Sequence, residues 1–134
     1  MESALLNFSG HRLSENAREI LAQRYDAVED VPFLEINFDK PLEEQFSGLL
    51  RQVKTPLDGT VPITIIPPGH ATVAVLLIVF LHGVLGFYPS LCNLQQSAAG
   101  QFVPHTVFHL DNQLVRKAGR RFRQEQWDKT KGHS

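Results

Sequence analysis

Apolar residues recur along the chain with two periods, and these periods predict alternating strands and helices. Runs rich in leucine, isoleucine, valine and phenylalanine predict strands over residues 4–8, 31–38, 61–66, 87–94 and 102–110. Apolar residues three or four positions apart predict helices over residues 15–25, 41–53, 70–85 and 112–127. Because strand and helix alternate three times, we predict an α/β fold: a compact Rossmann-like, mostly parallel sheet flanked by helices.

The middle of the chain is apolar on all sides. Residues 61–66 are rich in β-branched side chains and apolar on both faces, which is typical of a buried parallel strand. The helix at 70–85 is apolar nearly all round and is therefore expected to be largely buried. In the last helix, Leu114, Ala118 and Phe122 form one apolar stripe, which predicts a single buried face.

Length and composition indicate one globular domain. The 134 residues are 43% hydrophobic and 20% charged, and we assign 1–128 to a single domain and 129–134 to a flexible tail. The N-terminus has no basic export signal, and the longest apolar run, 71–81, is shorter than the roughly 20 residues that span a bilayer. The single cysteine, Cys92, has no partner for an internal disulfide. We therefore predict a cytoplasmic protein with no membrane partner.

Charge is distributed unevenly along the chain. Residues 1–60 carry eleven acidic and six basic side chains, 61–110 carry none of either, and 111–134 carry three acidic and seven basic ones. A surface segment normally includes charged residues. The uncharged stretch therefore either supplies central strands and a core helix or faces a second subunit in part, and we favour a homodimer or a higher homo-oligomer.

Familiar nucleotide-binding and metal-binding motifs do not occur. The chain contains neither GxGxxG nor GxxxxGK[ST] nor HExxH. His105 and His109 are four residues apart, but on a strand that spacing spans roughly 13 Å, too far to share one ion. We therefore predict no metal site and no cofactor. Cys92 is assigned to the interior of a strand and His82 to a hydrogen-bonded position in the core.

Two loops that follow predicted strands carry the residues best suited to bind an anion. Ligands of open α/β sheets collect beyond the carboxyl ends of strands, near the point where the strand order reverses. Glycine allows close approach and positive φ, hydroxyls and histidines add hydrogen bonds or charge, and helix N-termini attract anions. The predicted ligand-binding residues are Asn7, Ser9, Gly10 and His11 after the first strand, and Gly69, His70, Ala71 and Thr72 at the start of the third helix.

The last helix is strongly basic. It carries five cations within eight residues, namely Arg116, Lys117, Arg120, Arg121 and Arg123. Cations this close repel one another unless an anionic group relieves them. The acidic first half of a neighbouring subunit is one such group, and a phosphate backbone is the other.

Three segments together suggest a family. They are Leu5-Leu6-Asn7-Phe8-Ser9-Gly10-His11, Pro67-Pro68-Gly69-His70 before an apolar helix, and Leu81-His82-Gly83-Val84-Leu85-Gly86-Phe87-Tyr88-Pro89. With the basic C-terminal helix, they resemble the small CRISPR-associated accessory proteins called Csx-fifteen. These matches are short but extend over most of the chain. Gly69-His70-Ala71-Thr72 stands where the commoner family pattern has Pro-Gly-Leu-Ser.

The resemblance implies a dimer that binds the cyclic oligoadenylate signal of type III CRISPR systems, specifically cyclic tetra-adenylate, and helps to turn that antiviral signal off. The family's relatives include Rossmann-like sensors and ring nucleases. A ring of repeated units suits a site on a two-fold axis. Our leading hypothesis is sequestration without cleavage and with no catalytic residue, because Arg12 is the only lysine or arginine in either loop that is available to stabilise a transition state.

Two alternatives remain open. The first is a metal-independent ring nuclease in which the ribose 2′-hydroxyl attacks the neighbouring phosphate and His11 or His70 is the acid or base. The second is an unspecified nucleotide- or RNA-binding module that uses the basic helix and accepts linear RNA in a salt-dependent manner. A DNA partner is not predicted.

Overall fold

The computed structural model describes residues 3–32, 35–96 and 102–131. Strands and helices alternate along this part of the chain, and the predicted α/β class is confirmed. In chain order the elements are β1 (Ala4–Asn7), α1 (Glu15–Ala22), β2 (Ala27–Asp30), α2 (Leu42–Leu50), β3 (Ile63–Ile66), α3 (Ala71–Leu85), β4 (Ser90–Gln96), β5 (Phe102–Leu110) and α4 (Asn112–Lys131).

The five strands form one sheet in the order β2-β1-β3-β4-β5. β1 to β4 are parallel, and β5 is antiparallel to β4 at the edge, so the predicted mostly parallel sheet is confirmed. In register, Ala4 of β1 is paired with Ala27 of β2 on one side and with Ile63 of β3 on the other. After β1 the chain adds β2 on one side of β1 and later adds β3 on the other side. The strand order therefore reverses between β1 and β3.

The two faces of the sheet carry separate cores because neighbouring strand residues point to opposite sides. On one face, Leu6 packs with buried side chains of α2 and α3, among them Phe46 and Leu77. On the other face, Leu5 packs with Leu21 of α1. The α2 and α3 side is the one that borders the loops after β1 and β3.

The predicted strand at 31–38 is wrong. β2 lies earlier, at Ala27–Asp30, residues 31, 32 and 35–37 have no regular structure, and 33 and 34 lie outside the described residues. The Val31 N–H donates to the Asn7 carbonyl oxygen at 2.9 Å, one residue beyond the end of β2. Pro32 has no N–H with which to continue the ladder. The apolar pattern did not predict β2 because β2 is a half-buried edge strand that contains Glu29 and Asp30.

α3 is less buried than its composition predicts. Leu77, Leu81 and Leu85 are buried, but Val75 and Val79 are 61% and 58% exposed. An apolar face of α3 is therefore exposed among the residues that the structure describes. His82 is half-buried and its ring stacks on Tyr88, with centroids 4.0 Å apart.

Over the described residues Asn112–Lys131, α4 has no buried residue. Its predicted buried stripe is exposed instead, with Leu114 and Phe122 each 62% exposed. The helix extends to Lys131, so the first residues of the predicted tail are helical, and 132–134 lie outside the described residues. The predicted loop at 95–101 begins within β4, and 97–101 lie outside the described residues. Over the described ranges, no helix is both long and apolar enough to cross a membrane.

Candidate functional site

The loop after β1 is held by the side chain of Asn7. Asn7 is buried, and its side-chain oxygen accepts a hydrogen bond from the Ser9 N–H at 3.0 Å. Its amide nitrogen donates to the His11 carbonyl oxygen at 2.7 Å and to Asp30 Oδ1 at 2.9 Å. Both ends of the amide are therefore engaged within the protein. The buried Asn7 side chain therefore stabilises the conformation of this loop.

Asp30 extends this network to α1. Its second carboxylate oxygen forms an ion pair with Arg18, and the Arg18 guanidinium also donates to the Val28 carbonyl oxygen at 3.5 Å. The pair is partly exposed, so its own contribution to stability is small. Through Asn7, Asp30 and Arg18, however, the end of β1, the edge strand β2 and α1 are held in fixed positions relative to one another. Neither Arg18 nor Asp30 was among the site residues predicted from the sequence.

Ser9, Gly10 and His11 form a tight turn above Asn7. The Ser9 hydroxyl oxygen accepts from the His11 N–H at 3.1 Å, and the hydroxyl lies 3.3 Å from the His11 carbonyl oxygen, to which it donates. Gly10 has φ 81°, a left-handed conformation that favours glycine. Gly10 and His11 are exposed and Ser9 is half-buried, so the outer surface of the turn is accessible to solvent.

The loop after β3 ends at His70, which caps α3. His70 Nδ1 accepts a hydrogen bond from the Val73 N–H at 3.3 Å, and the His70 carbonyl oxygen accepts from the Ala74 N–H at 2.9 Å. The N–H groups of Ala71 and Thr72 belong to the first helical turn, where no carbonyl of the helix can accept from them. Ala71 and Thr72 are both exposed, at the end of the helix that carries partial positive charge.

Gly69 differs from the expectation of a positive φ. Gly69 is not one of the glycines that have a positive φ in the described part of the chain. A Cβ added to Gly69 would meet nothing within 4 Å. The space beside Gly69 is therefore open, so a ligand can approach the backbone at this point. Glycine is required here by neither strain nor packing within the chain.

The two loops meet at one cavity of about 280 Å³. It lies beyond the carboxyl ends of β1, β2 and β3 and extends between α2 and α3, next to the reversal of strand order. Its lining is mostly apolar and aromatic and consists of Phe8, Ser9, Pro32, Glu35, Ile36, Phe38, Phe46, Leu49, Pro68, Gly69, His70, Val73 and Leu77.

The structure brings three predicted site residues together at the mouth of this cavity. Ser9 comes from the first loop, and Gly69 and His70 come from the second. The remaining predicted residues do not line the cavity: Asn7 lies beneath the first loop, Gly10 and His11 lie in its exposed turn, and Ala71 and Thr72 lie at the end of α3.

The segment after β2, which contributes Glu35 and Phe38 to the cavity, was not among the predicted site residues. The Phe38 ring is 53% exposed and its centroid lies 5.8 Å from that of His70, at an interplanar angle of 41°. One signal was available: Asn37 and Asp39 before Pro41 are typical of a turn, and the Asn37 side chain does accept from the Asp39 N–H at 2.9 Å.

Two titratable groups with a raised pKa, Cys92 and Tyr25, lie away from the cavity, in the core that contains α1. Burial raises the pKa of the Cys92 thiol, against a smaller opposing effect of the Arg24 charge. Burial likewise raises the pKa of Tyr25, partly offset by its hydrogen bond with Thr64. Cys92 is thus a protonated packing residue of this core, as the sequence predicts. Among the residues that the structure describes, no three histidine, cysteine or acidic side chains are grouped closely enough to hold a metal ion.

Comparisons with protein-family models, with curated proteins and with solved structures found no match to this chain.

Proposed function

We propose that this protein binds cyclic oligoadenylate, most specifically cyclic tetra-adenylate, as a cytoplasmic homodimer and sequesters it, which damps type III CRISPR signalling. One observation carries the proposal. The two loops whose sequences resemble the Csx-fifteen family, one after β1 and one after β3, meet at a single cavity where the strand order reverses. That position is where open α/β sheets bind their ligands.

The phosphates are assigned to the rim of the cavity. The first turn of α3 directs the N–H groups of Ala71 and Thr72 outward, and helix N-termini bind phosphate through such groups. The Ser9 turn lies across the cavity mouth from Gly69, where the backbone is accessible. These are neutral hydrogen-bond donors, and they suit a ligand that is bound through geometry more than through net charge.

The dimer is assigned to the exposed face of α3. Thr72, Val75, Val79 and Gly83 are all exposed and lie along one side of this helix at helical spacing. They carry no charge and begin beside the proposed phosphate site. Pairing two copies of α3 about an axis parallel to the helices would bring both sites to the same edge, where a ring with repeated units meets the same contacts twice.

The position of His70 favours sequestration over cleavage. Its Nδ1 lone pair accepts from the Val73 N–H, so this nitrogen stabilises the helix and is not available as a base. Arg12 is the only lysine or arginine among residues 7–12 and 67–72. A ring nuclease must neutralise the charge that develops on the attacked phosphate, and these loops offer few cations for that purpose.

The test is to incubate the pure protein with radiolabelled cyclic tetra-adenylate in the absence of metal. A native gel reports binding, and denaturing chromatography reports whether the ring is intact. We expect a shifted complex that contains intact ring. A shift with linear products would replace sequestration by a ring nuclease, and no shift at micromolar protein would contradict both.

Gly69→Val is the most informative variant for this test. A Cβ at position 69 meets nothing within 4 Å, so the valine side chain starts in open space at the cavity mouth, and we expect a folded protein with at least about tenfold weaker ring binding. Gly119→Ala in α4 also places a side chain in open space and is the matched control, with unchanged binding expected. Competition by linear oligoadenylate with a steep salt dependence would instead support RNA binding through α4.

A further inference from the structure

The geometry points to the cavity as the binding site of one adenine base, stacked on Phe38 with its 6-amino group directed to Glu35. This inference rests on the proposed function and adds to it which part of the ligand enters the cavity and which residues select it. The volume of the cavity, about 280 Å³, lies just below the roughly 300–1,000 Å³ of sites that bind drug-sized ligands. One base fits that size, whereas a whole cyclic oligonucleotide does not.

The chemistry of the lining excludes a phosphate and favours a flat neutral group. Phe8, Phe46 and Leu77 are buried apolar side chains that lie along its walls. Of the described residues that line the cavity, Glu35 alone carries a full charge, and it is negative. A phosphate placed here would meet a carboxylate and hydrocarbon, which is unfavourable on both counts. An aromatic base gains from the same walls by burial and stacking.

Phe38 is held in place although its ring is half-exposed. The Gln45 side chain accepts from the Asn37 N–H at 2.8 Å and donates to the Asn37 carbonyl oxygen, also at 2.8 Å. The same amide nitrogen lies 3.2 Å from the Pro41 carbonyl oxygen. The turn that carries Phe38 is therefore fixed on both sides, and a pre-organised aromatic surface loses little entropy when a base stacks on it.

Glu35 gives the cavity its selectivity. A carboxylate only accepts hydrogen bonds, so the base edge that faces it must donate. Adenine offers its 6-amino group, whereas uracil offers a carbonyl oxygen at the corresponding position of its edge. The sugar and phosphate of the same nucleotide then emerge at the mouth, beside Ser9, Gly69 and His70, where the proposed phosphate site begins.

The experiment compares three rings: cyclic tetra-adenylate, cyclic tetra-uridylate, and the ring built from purine riboside, which stacks like adenine but lacks the 6-amino group. Affinities are measured by native gel shift for the wild type, Phe38→Ala, Phe38→Tyr and Glu35→Ala. For Phe38→Ala we expect about 5- to 150-fold weaker binding of the adenylate ring, the range for loss of one stacked base. Phe38→Tyr keeps a ring to stack on and should restore most of the affinity.

Glu35 is tested by the loss of selectivity. The wild type should bind the purine-riboside ring about tenfold more weakly than the adenylate ring, and Glu35→Ala should bind the two equally. Phe122→Ala, which removes a phenylalanine ring of similar exposure from α4, is the matched control and should leave every affinity unchanged. Because Glu35 and Phe38 are both exposed, none of these variants is expected to unfold the protein.

The outcomes separate this inference from the proposed function. If the three rings bind equally and the Phe38 and Glu35 variants behave as the wild type, ring binding stands and the adenine pocket is overturned. If no ring binds, the proposed function fails, and the pocket is then tested with adenosine 5′-monophosphate by saturation-transfer NMR. Transfer to the adenine protons that Phe38→Ala abolishes would still support the pocket, and absence of transfer would overturn it as well.

Discussion

Asn7 is the residue on which the local geometry of the candidate site depends. One buried amide connects the end of β1 to the turn at Ser9 and His11 and, through Asp30, to the edge strand. Asparagine is suited to this role because its side chain both donates and accepts hydrogen bonds and carries no charge. Aspartate, which has nearly the same shape, offers only acceptors.

Asn7→Asp should therefore destabilise the protein strongly. The exchange removes the donors to the His11 carbonyl oxygen and to Asp30, and it places a buried carboxylate against the half-buried carboxylate of Asp30. We expect the free energy of unfolding to fall by about 1–3 kcal/mol or more, measured by urea denaturation.

Asn37→Asp is the matched control for this prediction. The side chain of Asn37 acts as an acceptor, from the Asp39 N–H, and the residue is exposed. Aspartate keeps that acceptor, so the unfolding midpoint should change little. Equal midpoints for the two variants would contradict the role assigned to Asn7.

At the scale of elements, the turn before β3 and the end of α3 depend on each other. Gly59 has φ 85°, and a Cβ added to it would lie 2.7 Å from the Leu85 carbonyl oxygen at the last residue of α3. The side chain of Asp58 stabilises this turn by accepting from the Thr60 N–H at 3.0 Å, and the bonds to Thr60 lower the pKa of Asp58. Glycine is thus required at 59 by both its backbone angle and a close approach.

Gly59→Ala should reduce the free energy of unfolding by about 1–3 kcal/mol, because alanine is strained at positive φ and its Cβ would collide with backbone. Gly48→Ala makes the same exchange inside α2, where an added Cβ meets nothing within 4 Å. That variant should instead gain about 0.5–1 kcal/mol from helix propensity. Thermal unfolding of the pair measures both, and a stabilised Gly59→Ala would contradict the assigned turn.

At the scale of the whole molecule, two helices of the described part of the chain, α3 and α4, each carry an exposed apolar face. One is the α3 face that contains Val75 and Val79, and the other is the α4 stripe that contains Leu114, Val115 and Phe122. The α4 stripe lies within about 100° around the helix axis, at 3.6 residues per turn, with most of the basic residues on the opposite side. We propose that the dimer interface lies on α3 because, of these two faces, the α3 face is the one that begins beside the cavity.

Val79→Glu and Val115→Glu test this assignment directly. The two valines are 58% and 63% exposed, so each exchange adds one charge to a surface without disturbing a core. We expect Val79→Glu to be monomeric in sedimentation and to bind cyclic tetra-adenylate at least about tenfold more weakly. Val115→Glu should remain dimeric with unchanged affinity. The reverse result would place the interface on α4 and contradict our assignment.

Sequence by itself was sufficient for the order of most elements and for the two loops. The signals are local: apolar periodicity, the proline and glycine after β3, and the Ser-Gly-His turn after β1. They reflect backbone preferences and side-chain spacing within a few residues, which do not depend on the rest of the fold. The same signals could not find β2, because an edge strand of four residues with two acidic side chains has no apolar pattern to detect. Its position was decided by the pairing available along β1 and by Pro32.

Only the tertiary structure decided what each apolar surface meets. Periodicity shows that a face is hydrophobic, but not whether its own chain covers it. The sequence therefore predicts burial for the outer face of α3 and for the apolar stripe of α4, and both are exposed in the folded chain. The tertiary structure likewise determined which residues line the cavity, where Phe38, His70 and Phe46 come together from three separate segments. Contacts between residues far apart in sequence depend on how the helices cross over the sheet, and that packing is a property of the whole fold.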